Sequence, residues 1–74
     1  MTRLPVLGGR ELVKILRRFG YEVDRQTGSH IVLRNVTPPH RRLTVPNHPT
    51  VAKGTLRAIL RHAGLQPADL VERR

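Results

Sequence analysis

The sequence predicts an α+β fold: one helix, three antiparallel strands and a second helix, in that order. Two observations carry this. Apolar residues recur at helical spacing in a stretch near each end, and with a period of two in between. The period-two stretches are joined by connections of hairpin length, which makes their sheet antiparallel, and two amphipathic helices then cover one of its faces. A length of 74 residues allows one domain, residues 1–74, with little stability to spare.

The elements follow in turn. In the first helix, residues 9–19, Leu12, Val13, Ile15, Leu16 and Phe19 form the apolar side, with Arg10, Lys14, Arg17 and Arg18 opposite. Gly8-Gly9 opens this helix and Gly20 ends it. From Tyr21 the period changes. Tyr21, Val23 and Arg25 alternate with Glu22, Asp24 and Gln26, the pattern of a strand. Thr27, Gly28 and Ser29 make a tight turn into a second strand, residues 30–34. Residues 35–40 are a loop, because Pro38 and Pro39 lack the N–H that a ladder needs. A third strand, residues 42–45, stops at Pro46, and a loop over residues 47–51 leads to the last major helix. There Leu56, Ile59, Leu60 and Ala63 form the apolar stripe, Lys53, Arg57 and Arg61 form another, and Gly64 terminates it. Pro67 suits the first position of one further short helical turn. This arrangement is the one that double-stranded-RNA-binding domains use. Topology alone does not decide function, so the side chains must.

Charge narrows the partners. Fourteen Lys and Arg against five Asp and Glu give a net +9. Such an excess favours polyanions through counterion release, nucleic acid first among them. Twelve of the fourteen are Arg, a bias that a GC-rich genome also produces. The absence of cysteine excludes disulfides, thiolate zinc sites and cysteine nucleophiles, and permits a reducing compartment. No apolar run approaches the ~18 residues of a membrane span. The first nine residues lack the apolar core of a signal peptide. A cytoplasmic protein without membrane segments is therefore expected. The acidic residues Glu11, Glu22, Asp24, Asp69 and Glu72 are scattered, which leaves no carboxylate pair for a two-metal nuclease. His30, His40, His48 and His62 have no metal-ligand spacing, and no phosphate-binding glycine loop is present, so neither metal nor cofactor is expected. Phe19 and Tyr21 are the only aromatics, too few to stack single-stranded bases. Recognition must rest on phosphates, 2′-hydroxyls and shape.

Two stretches carry chemistry. In Thr27-Gly28-Ser29-His30 the glycine lets the backbone turn sharply and the histidine lands at the start of a strand. If Ile31 and Leu33 face the core, parity sends His30, Val32 and Arg34 to the open face, joined by Arg42 and Thr44 from the third strand. An imidazole beside two arginines on an open sheet is a place to cut RNA. It can take the proton of a 2′-hydroxyl near neutral pH, and the guanidinium groups can stabilise charge on the phosphate. The alternative is an ordinary polar histidine, hydrogen-bonded locally at a turn. The second stretch is Pro46-Asn47-His48 with Lys53-Gly54-Thr55 at the entrance to the last helix. Thr55 or a neighbour can cap that helix, and its exposed amide groups, with Lys53 and Arg57 beside them, make a natural phosphate site. Plain capping with solvated charge is the competing reading.

Together these stretches resemble the HicA family of toxin–antitoxin systems. The matching residues are Gly9-Arg10-Glu11-Leu12, Phe19-Gly20-Tyr21, Arg25-Gln26-Thr27-Gly28-Ser29-His30, Leu43-Thr44-Val45-Pro46-Asn47-His48 and Lys53-Gly54-Thr55-Leu56, so the resemblance runs from about Leu7 to Leu65. The resemblance implies the double-stranded-RNA-binding fold and a ribosome-independent mRNA endoribonuclease whose catalytic histidine is the one in the Gly-Ser-His turn, here His30. It also implies a cognate HicB antitoxin, with the chain a monomer when free and part of a hetero-oligomer with that partner. Gly28, Ser29, Arg34, Arg42, His48, Lys53, Thr55 and Arg57 are the residues expected to hold RNA. Where many relatives carry a second histidine or an aromatic after the catalytic one, this chain has Ile31, and its Pro38-Pro39 pair is expected to end the strand early. His48 is the best candidate for a general acid, with a structural role in its loop as the rival. Two other classes stay open: a non-catalytic RNA-binding module, and a small protein that docks an acidic partner.

Overall fold

The computed structural model of the protein describes residues 4–72. The expectation that the first nine residues hold no signal peptide falls partly on residues 1–3, outside the described residues. The elements are α1 (Gly9–Arg17), β1 (Tyr21–Thr27), β2 (His30–Asn35), β3 (Arg42–Pro46), α2 (Lys53–Ala63) and α3 (Pro67–Glu72). The strands form one antiparallel sheet in the order β1-β2-β3. The α+β architecture and its order are those the sequence predicts, including the short last helix that begins at Pro67. α1 stops at Arg17 rather than Phe19, because the chain turns through residues 18–20 and Gly20 takes a φ of +93°.

The core sits between the helices and one face of the sheet. Leu12, Val13, Ile15 and Leu16 of α1 and Leu56, Ile59 and Leu60 of α2 pack over Tyr21, Ile31, Leu33, Leu43 and Val45. Leu7, Val51 and Leu70 close its margins. Burying one such side chain stabilises by roughly 1.5–3 kcal/mol. Truncating a buried leucine to alanine costs about 2–5 kcal/mol, comparable with the whole stability of a domain this small. The core therefore has no redundancy, and functional side chains are confined to the surfaces it leaves free.

One register feature departs from strict alternation. Val23 pairs with Leu33, but the next pair is Arg25 with Val32, so β1 bulges at Asp24. Straight alternation puts Arg25 on the side of Tyr21 and Val23. The bulge moves it to the opposite face, where Thr27 pairs with His30. β1 is buried only at Tyr21, and its remaining residues are exposed.

The loop between β3 and α2 is clasped by the start of α1. The Gly9 N–H donates to the His48 carbonyl at 2.9 Å, and the Val51 N–H donates to the Leu7 carbonyl at 2.7 Å. Only glycines allow this approach: a Cβ on Gly9 would collide with the Pro46 carbonyl oxygen, and one on Gly8 would lie 2.8 Å from that of Pro49.

α2 runs alongside the free edge of β3. Thr55 shares a groove with Thr44 near its start, and His62 shares the same groove with Arg42 near its end. Arg41 fixes the far end by donating to the His62 carbonyl at 3.2 Å, a cation at a helix C-terminus. The N-terminus of α2 consequently lies at the Pro46 end of the sheet, where His30 pairs with Pro46.

Candidate active site

His30 is the first residue of β2 and is exposed. Gly28 and Ser29 form the two-residue turn before it, and Gly28 adopts the φ of +51° that favours glycine. The backbone around His30 is held on both sides, by Thr27 of β1 and Pro46 of β3. A further tie comes from the Asn47 N–H, which donates to the Ser29 carbonyl at 2.6 Å. The imidazole therefore projects from a fixed main chain.

Several predicted residues gather at this end. His48 is exposed in the clasped loop, where Asn47, His48 and Pro49 line a shallow hollow with Gly8, Gly9, Arg10 and Glu11. Lys53 and Thr55 lie in the first turn of α2, with Arg57 exposed one turn on.

Thr55 does not cap the helix. The N-cap is Ala52, which has no side chain able to do so, and Thr55 sits inside the first turn. The first intrahelical bond runs from the Leu56 N–H to the Ala52 carbonyl at 2.9 Å. The amides of Lys53, Gly54 and Thr55 thus have no intrahelical acceptor, and the helix dipole points outward beside a lysine. At α1 the Gly9 amide is engaged by the His48 carbonyl, and the Glu11 carboxylate already sits in the first turn, accepting from the Gly8 N–H at 3.1 Å. Compared with α1, the start of α2 has no acidic side chain in its first turn and is the more favourable to an anion.

Arg34 and Arg42 are placed differently from the expectation. Both are on the open face, as parity requires, and they pair with each other. They stand at the other end of the strands, four residues along β2 from His30, or about 13 Å at the rise of a strand. They also have acidic company: Glu22 lies opposite Arg34, and Asp24 Oδ2 is 3.6 Å from Arg42 Nε. That ion pair is exposed and worth about 0–1 kcal/mol, so it tethers Arg42 only weakly. Sequence reasoning had put both arginines beside the imidazole and had missed Arg25, which the bulge brings to the open face. Nothing between Tyr21 and Thr27 announces the bulge, for the segment has neither glycine nor proline. An aspartate, disfavoured in strands, is the sole cue.

Among the described residues, no group of three His, Cys, Asp or Glu side chains is close enough to hold a metal ion. No helix among them is long and apolar enough to cross a membrane. What the site offers is an exposed imidazole on a rigid hairpin, near an open helix N-terminus and several cations.

These features define a small basic α+β protein with a histidine displayed at the anion-attracting end of its sheet. The chain belongs to the HicA toxin family: the family model described as the HicA toxin of bacterial toxin–antitoxin matches residues 9–65. It is accordingly a toxin of a toxin–antitoxin system, and the matched span contains His30, His48 and the start of α2. No curated protein matches the chain.

Proposed function

We propose that the protein is a metal-independent endoribonuclease that cleaves mRNA in the cytoplasm, with His30 as its catalytic residue, and that a HicB-type antitoxin silences it. The observation that carries this reading is the exposed imidazole of His30, fixed by pairing on both flanks at the end of the sheet where α2 presents free amides. His30 acts as general base. It takes the proton of a 2′-hydroxyl, the 2′-oxygen attacks the adjacent phosphorus, and the bond from phosphorus to the 5′-oxygen breaks. The leaving oxygen takes up a proton, and the products are a 2′,3′-cyclic phosphate and a 5′-hydroxyl. His48 is the candidate donor of that second proton. The main chain of Gly28 and Ser29 sets the approach to the imidazole, and Lys53, Thr55 and Arg57 hold a neighbouring phosphate at the helix start. Arg34 and Arg42 extend the contact along the strand.

Incubating the purified protein with a long RNA in excess chelator tests this reading. Cleavage is expected, and His30→Ala is expected to slow it by about 10²–10⁴-fold while circular dichroism stays unchanged. Activity that vanishes with chelator and returns with magnesium overturns the mechanism, as does near-wild-type cutting by the folded variant. A mobility shift without cleavage indicates an RNA-binding module, and neither response indicates a protein that only docks an acidic partner.

A further inference from the structure

We infer that Arg25 is the phosphate ligand of the His30 site, its guanidinium binding the non-bridging oxygens of the phosphate that the 2′-oxygen attacks. The inference rests on the endoribonuclease reading and adds to it the group that meets the developing charge.

The argument begins with the bulge. Asp24 is the extra residue in β1, and its side chain reaches Arg42 on the open face. Arg25 then pairs with Val32, whose parity is that of His30, so Arg25 and His30 share one face of the sheet. They are diagonal neighbours across the β1–β2 pair. Such neighbours stand about 7–8 Å apart at the backbone, a gap that long side chains span. A phosphate between them is within reach of both.

The other cations are worse placed. Arg34 lies about 13 Å along the strand, and Arg42 stands beyond it, near Asp24. Lys53 belongs to another element, reached through the clasped loop. Arg25 is exposed and makes no ion pair among the described residues, which leaves its guanidinium available. Bulges recur where a side chain must be re-aimed next to a site, and here the re-aimed residue is an arginine. The planar fork of a guanidinium matches two phosphate oxygens at once, which a lysine does not. As the 2′-oxygen adds, negative charge grows on those oxygens, so a fixed cation there stabilises the transition state more than the ground state.

The test separates this role from general electrostatics and from the catalytic reading. Arg25→Ala, Arg25→Lys and, as a charge control at the far end of α1, Arg17→Ala are each made with and without His30→Ala. Affinity for a single-stranded RNA is measured against salt in the His30→Ala forms, and cleavage in the others. Arg25→Ala should lower the slope of log affinity against log salt by roughly 0.7, one phosphate contact, and Arg17→Ala should leave it unchanged. Cleavage by Arg25→Ala should fall by about 10²–10³-fold, with Arg25→Lys recovering part of the loss. An unchanged slope for Arg25→Ala overturns the inference, and so does a lowered slope with undiminished cleavage. If the parent protein binds RNA without cutting it, the endoribonuclease reading fails, and the slope still decides whether Arg25 holds a phosphate. Should Arg25→Ala fail to fold, Arg25→Gln gives the same readout.

Discussion

Gly9 and Gly54 both lie in the first turn of a helix, yet an added methyl group has opposite consequences at the two positions. At Gly9 it meets the Pro46 carbonyl oxygen, and the bond from Gly9 to His48 must lengthen to relieve the clash. At Gly54 nothing lies within 4 Å. Gly9→Ala should therefore destabilise by about 1–3 kcal/mol, as overpacking does, and lower Tm on the order of 10 °C. Gly54→Ala should stabilise by about 0.4–1 kcal/mol, because it restricts the unfolded chain at no steric cost. Thermal unfolding of the two variants checks this, and a Gly9→Ala protein as stable as its parent contradicts the clasp. From the sequence the two glycines look alike, since both simply open helices. What distinguishes them is a close approach of distant backbone, which no local pattern encodes. The same holds for His30, whose exposure follows from parity while its pairing with Pro46 and the bond from Asn47 to the neighbouring Ser29 do not.

At the level of elements, the helices and strands were legible because hydrophobic period and glycine or proline punctuation agree along the chain. Two features were not. The bulge in β1 was hidden because counting by twos passes straight over Asp24, and the error reversed the face of Arg25 while leaving the strand itself correctly placed. The start of α2 was misread because Thr55 resembles a cap, whereas the chain enters through Ala52 and leaves the amides open. The polarity of α2 also grades its basic stripe: Lys53 and Arg57 lie toward the His30 end, and Arg61 toward the end that Arg41 and His62 occupy. If the open end binds phosphate, Lys53→Glu and Arg57→Glu should each weaken RNA affinity for all sequences alike and flatten its salt dependence. Titrations at several salt concentrations measure this. A slope equal to that of the parent in both variants identifies the stripe as merely solvated.

Across the whole molecule the charges divide by face and by end. The helices turn Lys14, Arg17, Arg57 and Arg61 outward, whereas the open sheet face mixes Arg25, Arg34 and Arg42 with Glu22 and Asp24. The carboxylates stand toward the end away from His30, so among the described residues the His30 end of that face is the part free of acidic side chains. An antitoxin with an acidic surface gains most by covering that end, since opposite charge speeds its association and the same surface excludes RNA phosphate. A partner seated on the helices would meet more cations but would leave His30 open, and would act by sequestration alone. An imidazole-modifying reagent separates the two arrangements, because His30, His48 and His62 are all exposed in the free chain. We predict that saturating antitoxin protects His30 and leaves His62, at the far end of α2, reactive, and that cleavage falls in proportion to the partner added. Equal reactivity of His30 with and without the partner rules out occlusion, and protection of His62 alone places the partner on the helices.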